Sequence, residues 1–215
     1  MNELLTRTAV GILLILVALA SALFGGTVFA VLVALIATVM YIEWSRMVGH
    51  WGFNWRLIGF FYCLLPAVAL LWIRERYIPG GIAPQPDLLV WVFLVVWSTD
   101  IGAYFAGRAI GGPKLAPSIS PNKTIAGLIG GIAAAIVIAG VWAATVALPA
   151  IVIWLAAPFA FAAQMGDLFE SGLKRRAGVK DSGTWLPGHG GLLDRLDGLV
   201  PVAILTAALM AGGAI

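Results

Sequence analysis

Long apolar runs constrain the fold of this chain more than any other feature. The seven runs lie at residues 8–24, 27–44, 57–73, 88–107, 125–148, 150–169 and 199–215. About 20 apolar residues are enough to cross a bilayer as an α-helix. Lipid cannot satisfy open backbone groups, and apolar residues that are continuous rather than alternating favour helices over a closed barrel. The pattern therefore predicts an all-α, polytopic integral membrane helical bundle with about seven transmembrane helices.

The composition excludes several other classes of protein. Of the 215 residues, 61% are hydrophobic and only 11% are charged, whereas a soluble domain carries about 25% charged residues. Cys63 is the one cysteine in the sequence, which excludes an internal disulfide and a thiolate metal cluster. A zinc site is also disfavoured, because the chain has just two histidines, His50 and His189.

Basic residues are distributed unequally between the two ends of the predicted spans. Lysine and arginine near span ends mark the cytoplasmic side of a membrane protein. If the N-terminus is cytoplasmic, only Arg74 and Arg76 fall outside. The basic residues inside are then Arg7, Arg46, Arg56, Arg108, Lys114, Lys123, Lys174, Arg175, Arg176, Lys180 and Arg195. The two largest polar segments are therefore predicted to face the cytoplasm.

The first of these segments, "KRRAGVKDSGTWLPGHGGLLDRLD", spans Lys174 to Asp197. It holds five of the chain's 13 basic residues and three of its 10 acidic residues. The bases alone fit contact with anionic lipid headgroups, and Asp194 and Asp197 alone fit the dipole of a helix that begins here. Bases, a glycine-rich loop and two acids on one helix face together indicate a polyphosphate held with a divalent cation, because Mg²⁺ binds carboxylate and phosphate oxygens.

Two acids lie inside predicted spans, where a carboxylate costs roughly 2.5–3.5 kcal/mol and is a functional hypothesis by default. Asp100 also fits a structural hydrogen bond or an ion pair between helices, for instance with Arg108. Asp167 stands near the end of the sixth run and adds a third acid from another helix. Glu43, beside Trp44 near a helix end, is interpreted as an interfacial residue without a role in the site.

The second polar segment, "GGPKLAPSISPNKT", spans Gly111 to Thr124. Its prolines and glycines exclude a long helix, and its hydroxyl, amide and ammonium groups are of the kind that hold phosphates. The preceding "GRAIGGPKL" is not a P-loop, because Pro113 interrupts it and Leu115 replaces the required Ser or Thr. "GHGGLL" is not a dinucleotide fingerprint, since Leu193 stands where the last glycine belongs.

The stretch "SGLKRRAGVKDSGTWLPGHGGLLDRLD", Ser171 to Asp197, resembles the family motif of CDP-diacylglycerol synthase, also called phosphatidate cytidylyltransferase. The family pattern has Ser, then Lys-Arg, Lys-Asp, Pro-x-His-Gly-Gly and a closing Asp-Arg-x-Asp, and every position is met here. The upstream "TDIGAYFAGRAIGGPKLAPSISPNKTIAG" and "GDLFES" are also similar to the family. One position departs from the pattern, because Ala126 stands where the family commonly has Glu.

The resemblance implies a polytopic enzyme of the inner (cytoplasmic) membrane, often a homodimer, that joins phosphatidic acid to CTP and releases pyrophosphate. It implies Mg²⁺, with a second, monovalent cation such as K⁺ associated with the acidic centre, and membrane lipids but no nucleic acid as partners. The whole chain, 1–215, is then a single catalytic domain, with N-terminal helices at 1–97, a catalytic core at 98–198 and a last helix at 199–215.

The resemblance also implies roles for individual residues. The cation ligands would be Asp167, Asp194 and Asp197, which with Lys174 form the predicted catalytic set. The predicted substrate contacts are Ser120, Lys123, Thr124, Ser171, Arg175, Lys180, His189, Gly190, Gly191 and Arg195. For His189, contact with a phosphate is favoured over action as a general base.

Two other functions stay open at this stage. A CTP-dependent lipid kinase would use the same nucleotide and cation but would transfer the γ-phosphoryl group to a polyprenol-type alcohol. An ion or proton transporter would use Asp100 and Asp167 as relay carboxylates, but it leaves the basic, glycine-rich segment without a role.

Overall fold

The computed structural model describes residues 3–76, 86–186 and 190–215. Within these ranges the chain forms eight helices and one two-stranded hairpin. The elements are α1 Glu3–Phe24, α2 Gly26–Met47, α3 Phe53–Arg74, α4 Asp87–Ile110, β1 Lys114–Ala116, β2 Ser120–Thr124, α5 Ile125–Thr145, α6 Ala150–Arg176, α7 Leu193–Leu196 and α8 Leu199–Ala211.

The predicted helical membrane bundle is confirmed. Each of the seven predicted runs coincides with a helix. Five of the described helices, α2 to α6, are long and apolar enough to cross a membrane, with mean hydropathies between 1.5 and 2.3. The apolar part of α1, Val10–Phe24, and helix α8 are shorter apolar helices.

Three local features differ from the prediction. Helix α6 continues to Arg176 rather than ending at 169, so Lys174, Arg175 and Arg176 form its last turn, where positive charge stabilises the helix dipole. The Gly111–Thr124 segment contains an antiparallel hairpin that pairs Lys114 with Thr124. The last helix ends at Ala211, four residues before the predicted end.

Helix α4 occupies the centre of the bundle and packs most closely against α5. The two backbones approach because small residues face each other. A Cβ atom on Gly131 would lie 2.7 Å from the carbonyl oxygen of Thr99, and one on Gly127 would lie 2.9 Å from that of Ala103. Small residues at a helix interface allow such close contact in a membrane. The contact fixes the start of α5, and with it strand β2, beside the second half of α4.

The connection between α2 and α3 is joined to the end of α6 by an aromatic cluster. The guanidinium carbon of Arg176 lies 4.6 Å from the ring centre of Trp51 and 5.2 Å from that of Trp55. Both distances are within the range of a cation–π contact. The contact places the ends of α2 and α6 at the same end of the bundle.

Two matched alanine substitutions in α5 test the close contact with α4. The added methyl at Gly131 would meet the Thr99 backbone, whereas a Cβ at Gly140 would lie 3.5 Å from Cγ2 of Ile153, an ordinary contact. We expect Gly131→Ala to lower the free energy of unfolding by about 1–3 kcal/mol. Gly140→Ala should leave it unchanged or raise it by up to about 1 kcal/mol. Unfolding in detergent measures both, and equal stabilities would contradict the packing.

Candidate active site

A cavity of about 910 Å³ lies between α1, α2, α4, strand β2, the start of α5, α6 and the α7–α8 junction. One part of its wall is charged and polar, and another part is apolar. The charged and amide side chains that line it are Asp100, Arg108, Asn122, Lys123, Gln164, Asp167, Asp194, Arg195 and Asp197. The large apolar side chains that line it include Leu14, Ile15, Ile36, Phe93, Val96 and Trp97. A cavity with both kinds of wall suits a ligand that is itself amphipathic.

A network of polar side chains connects the hairpin to α4 and α6. The ammonium of Lys123, on β2, lies 2.6 Å from Oδ2 of Asp167 and donates to Oε1 of Gln164 at 3.2 Å. The amide of Gln164 in turn donates to Oδ1 of Asp100 at 3.4 Å. Ser171 donates its hydroxyl to Oδ1 of Asp167 at 3.2 Å. The structure thus brings together Lys123, Asp167 and Ser171, and the partner of Asp100 is Gln164; Arg108 instead donates to the hydroxyl of Tyr104.

A second cluster lies where α6 meets α7. The ammonium of Lys174 lies 2.6 Å from Oδ1 of Asp194 and 3.1 Å from Oε1 of Glu170. Asp194 also accepts hydrogen bonds from the backbone N–H groups of Ser182 at 2.9 Å and Gly191 at 2.8 Å. Burial opposes ionisation of Asp194, but the hydrogen bonds from Lys174 and Gly191 outweigh it and lower the pKa of this carboxyl. Both carboxylate oxygens of Asp194 therefore already accept hydrogen bonds within the protein.

Asp197 stands between α7 and α8 and faces the same cavity as Asp100 and Asp167. Burial first, and then the negative charges of Asp167 and Asp100, raise the pKa of Asp197. Its Oδ1 accepts a hydrogen bond from the N–H of Gly198 at 2.7 Å. The mutual repulsion of these three acids is the kind of electrostatic strain that a bound cation relieves.

The carboxylates that line the cavity suit a Mg²⁺ ion that is held partly by substrate phosphates. In the ranges that the structure describes, no group of three or more His, Cys, Asp or Glu side chains is placed to hold a metal ion. Mg²⁺ is commonly bound by one or two carboxylates together with substrate phosphates rather than by a protein cage. Asp167 and Asp197 fit that arrangement, and the predicted three-aspartate ligand set stays a prediction.

The structure corrects the interpretation of Glu43. This residue is fully buried, and its carboxylate accepts hydrogen bonds from the hydroxyl of Ser182 and the N–H groups of Leu192 and Leu193. Sequence reasoning had only one signal for it, a carboxylate inside an otherwise apolar run. Gln164 and Glu170 were also missed, although Glu170 stands four residues before Lys174, the spacing at which side chains on one helix face meet.

Several predicted substrate contacts have structural tasks or lie apart from the cavity. The hydroxyl of Thr124 caps α5 by accepting from the N–H of Gly127 at 3.0 Å. Arg175 donates through Nε to the carbonyl of Ile119 at 3.2 Å, which ties α6 to the hairpin. Among the described residues that line the cavity, neither Arg175 nor Lys180 is found, and both are exposed.

The remaining predictions concern one strand residue and the glycine-rich loop. Ser120 begins β2, where it pairs with Ala116. Gly190 has a φ of +84°, which disfavours any residue with a side chain, and Gly191 gives its N–H to Asp194. Arg195 lines the cavity. His189 lies outside the residues that the structure describes.

Comparison with known proteins identifies related sequences over most of the chain. The sequence pattern of the cytidylyltransferase family matches residues 82–212. A phosphatidate cytidylyltransferase of Brucella suis biovar 1 (strain 1330) is 47% identical over 178 residues, which are 81% of this chain and 62% of the relative. One of Pseudomonas aeruginosa (strain PAO1) is 38% identical over 181 residues, 81% of this chain and 65% of the relative. One of Bacillus subtilis (strain 168) is 52% identical over 107 residues, 48% of this chain and 40% of the relative. The chain thus spans less than two thirds of the length of these relatives.

Lys174 is expected to be essential for stability, because it compensates two carboxylates that are 0% and 7% exposed. Lys174→Met removes the ammonium and should lower the free energy of unfolding by about 3–5 kcal/mol, the usual cost of leaving a buried charge unpaired. Lys174→Met combined with Glu170→Gln should recover part of the loss. Lys180→Met is the matched control, since Lys180 is exposed. Thermal melting in detergent measures all three variants, and equal melting of the two Lys→Met proteins would contradict the pairing.

Proposed function

Because this chain belongs to the cytidylyltransferase family, we propose that it transfers the cytidylyl group of CTP to phosphatidic acid. The products are CDP-diacylglycerol and pyrophosphate. The relatives are named phosphatidate cytidylyltransferases, after the same reaction. The most direct support from this chain is a cavity that is charged on one wall and apolar on another.

The charged wall suits a nucleoside triphosphate. Lys123, Arg195 and Arg108 line the cavity and offer positive charge to phosphate oxygens. Asp167 and Asp197 would hold Mg²⁺ together with those oxygens, and the cation, when bound, neutralises charge on the phosphates. The monovalent cation that the resemblance implies, such as K⁺, remains a proposal for the same acidic wall.

The reaction needs positioning and charge stabilisation more than it needs a base. A phosphate monoester has its second pKa near about 6, so phosphatidic acid is already ionised at pH 7. A phosphatidate oxygen forms a bond to the α-phosphorus of CTP, and the bond from that phosphorus to the bridging oxygen of the β-phosphate breaks. The basic side chains stabilise the charge that develops on the departing pyrophosphate.

The apolar wall suits the acyl chains of a membrane lipid. Leu14 and Ile15 of α1, Ile36 of α2 and Phe93 of α4 line this part of the cavity. Helix α1 also presents exposed apolar side chains such as Leu13 and Leu16 on its other faces. A lipid lying against α1 would thus keep its chains in apolar surroundings while its phosphate reaches the charged wall.

We propose that the protein lies in the inner membrane with the charged wall open to the cytoplasm. The basic residues concentrate at the end of the bundle where α2 and α6 end, as the positive-inside rule requires of a cytoplasmic face. CTP and Mg²⁺ are supplied from that side. The homodimer that the resemblance implies stays a prediction.

The reaction is tested by incubating the purified full chain with phosphatidic acid, Mg²⁺ and CTP labelled on the α- or the γ-phosphate. We expect α-label in the lipid as CDP-diacylglycerol, and γ-label in pyrophosphate. Asp197→Asn should lower kcat by on the order of 10²-fold or more, because it removes one charge from the proposed cation site. A γ-labelled lipid would instead establish a lipid kinase, and absence of any CTP turnover or binding would favour a transporter.

Asp87→Asn is the matched control for that substitution. This substitution also replaces an aspartate with asparagine, but at the start of α4, about 20 Å along the helix from Asp100. Its backbone carbonyl, which accepts from the indole of Trp142 at 2.9 Å, is kept. Its kcat should equal that of the wild type; an equal loss in both aspartate variants would remove Asp197 from the proposed site.

The lipid wall is tested by enlarging one side chain on α1. Leu14 lines the cavity, whereas Leu16 does not and is 58% exposed. We expect Leu14→Trp to raise the KM for phosphatidic acid by about tenfold, the lower part of the range for an overpacked apolar contact, and to leave the KM for CTP unchanged. Leu16→Trp should change neither. The KM values for both substrates, measured in mixed micelles, check this expectation, and an unchanged KM in Leu14→Trp would exclude α1 from the lipid wall.

A further inference from the structure

Glu43 is the one fully buried carboxylate that the described part of the N-terminal helices contributes to the catalytic end of the bundle. It stands in the last turns of α2, outside residues 82–212 that match the family pattern. Its partners lie 139 to 150 positions further along the chain. These buried contacts join the end of α2 to a segment near the end of the chain, so Glu43 helps to position that segment.

The carboxylate of Glu43 uses both of its oxygens. Oε2 accepts from the hydroxyl of Ser182 at 3.0 Å and from the N–H of Leu193 at 2.8 Å, and Oε1 accepts from the N–H of Leu192 at 3.0 Å. All three donors belong to the segment between α6 and α8. A charged acceptor forms stronger hydrogen bonds than a neutral one, so these contacts fix the segment against α2.

Two carboxylates hold the segment from opposite sides. Ser182 gives its hydroxyl to Glu43 and its N–H to Asp194. At the other end of the loop, Gly191 gives its N–H to Asp194, and the next residue gives its N–H to Glu43. Glu43 and Asp194 together therefore hold the chain on both sides of residues 183–190, at Ser182 and at Gly191 to Leu193. We refer to this arrangement as the loop clamp.

The glycines of the loop leave room for Glu43. A Cβ atom on Gly191 would lie 2.7 Å from Oε2 of Glu43, and one on Gly183 would overlap the same carboxylate. Neither glycine has a positive φ, so the backbone itself does not require glycine there. The available space does require it, because a Cβ on Gly183 would meet the Glu43 carboxylate and one on Gly191 would meet both that carboxylate and the hydroxyl of Ser182.

Helix α7 connects the loop clamp to the cavity. The N–H groups that Glu43 holds belong to Leu192 and Leu193, at the start of this single turn. Arg195 stands on the same turn and Asp197 directly follows it, and both line the cavity. With the N–H of its N-cap residue and the N–H of its first residue both fixed, this four-residue turn has little freedom to move the side chains at its other end.

We propose that Glu43 is a positioning residue of the cytidylyl transfer. It holds the loop clamp and α7 so that Arg195 and Asp197 face the substrate phosphates, without touching the substrate itself. This inference rests on the proposed function. It assigns to α2 a part in the reaction that the family match, which begins at residue 82, does not include.

The proposal is tested first by Glu43→Gln in the purified full chain. The amide keeps the shape of the side chain, but its NH₂ group cannot accept a hydrogen bond. At least one of the three groups that donate to Glu43 therefore loses its acceptor. We expect kcat to fall on the order of 10²-fold, the loss that a displacement of about 1 Å causes at a reacting centre, while the melting temperature stays within a few degrees of the wild type. Glu43→Asp keeps the charge and should recover part of kcat. Glu75→Gln, at an exposed glutamate beyond the end of α3, is the matched control and should leave kcat unchanged.

Ser182→Ala separates positioning from general stability. If Glu43 acts through the clamp, Glu43 and Ser182 share one set of contacts. The kcat of the double variant Glu43→Gln/Ser182→Ala should then fall by about as much as the kcat of the more impaired single variant, and no further. Additive losses in kcat would overturn the proposal. So would a lower melting temperature with an unchanged kcat per folded molecule, since that result would leave Glu43 a purely structural role.

A spin label reports on the clamp without requiring catalysis. Trp185 is 51% exposed within the loop, and Cys63, the chain's one cysteine, is replaced by alanine so that Trp185→Cys carries the label alone. We expect Glu43→Gln to increase the mobility of the label in its electron paramagnetic resonance spectrum, and Glu75→Gln to leave it unchanged. Unchanged mobility in Glu43→Gln would overturn the clamp. A wild-type chain without cytidylyl transfer would overturn the proposed function, and the label would still decide whether Glu43 holds the loop.

Discussion

A carboxylate removed from water needs donors or a cation beside it, and this requirement organises the end of the bundle that carries the charged wall of the cavity. Asp167 has Lys123 and Ser171, and Asp194 and Glu170 share Lys174. Among the described residues, Glu43 accepts hydrogen bonds from three donors of a distant segment. Three of these contacts, Lys123 with Asp167, Lys174 with Asp194 and Glu43 with its donors, connect separate elements of the chain. The charged wall of the cavity is thus assembled by the partners its acids require.

The apolar part of the protein supplies the frame on which these contacts depend. Backbone contact between α4 and α5, with Gly131 against Thr99, leaves no room for side chains to slide between the two helices. Asp100 on α4 and Lys123 just before α5 therefore keep a fixed relation to each other, bridged by Gln164 of α6. Positions in a membrane bundle are set by such close packing, because lipid gives apolar helices no reason to associate.

The sequence predicts the membrane bundle, the two polar segments and the main acids, because hydropathy and charge are local properties. The continuation of α6 to Arg176 was missed because hydropathy falls at 169, although helical backbone is compatible with a charged last turn. The hairpin was missed because prolines and glycines indicate only that a long helix is absent. Glu43 was misread because its partners lie 139 or more residues away, and no local pattern encodes a contact at that separation. Lys174 was predicted as a catalytic group, but its ion pairs with Asp194 and Glu170 depend on where α7 returns against α6.

The contact of Lys123 with Asp167, 2.6 Å between charged atoms, has a thermodynamic consequence for binding in the cavity. An anion that draws Lys123 toward itself leaves Asp167 without its counter-ion, and a cation then binds that carboxylate more tightly. By linkage, the cation strengthens the binding of the anion by the same factor. If nucleotide and metal bind as proposed, they would be coupled through this one lysine, and each would bind more tightly in the presence of the other.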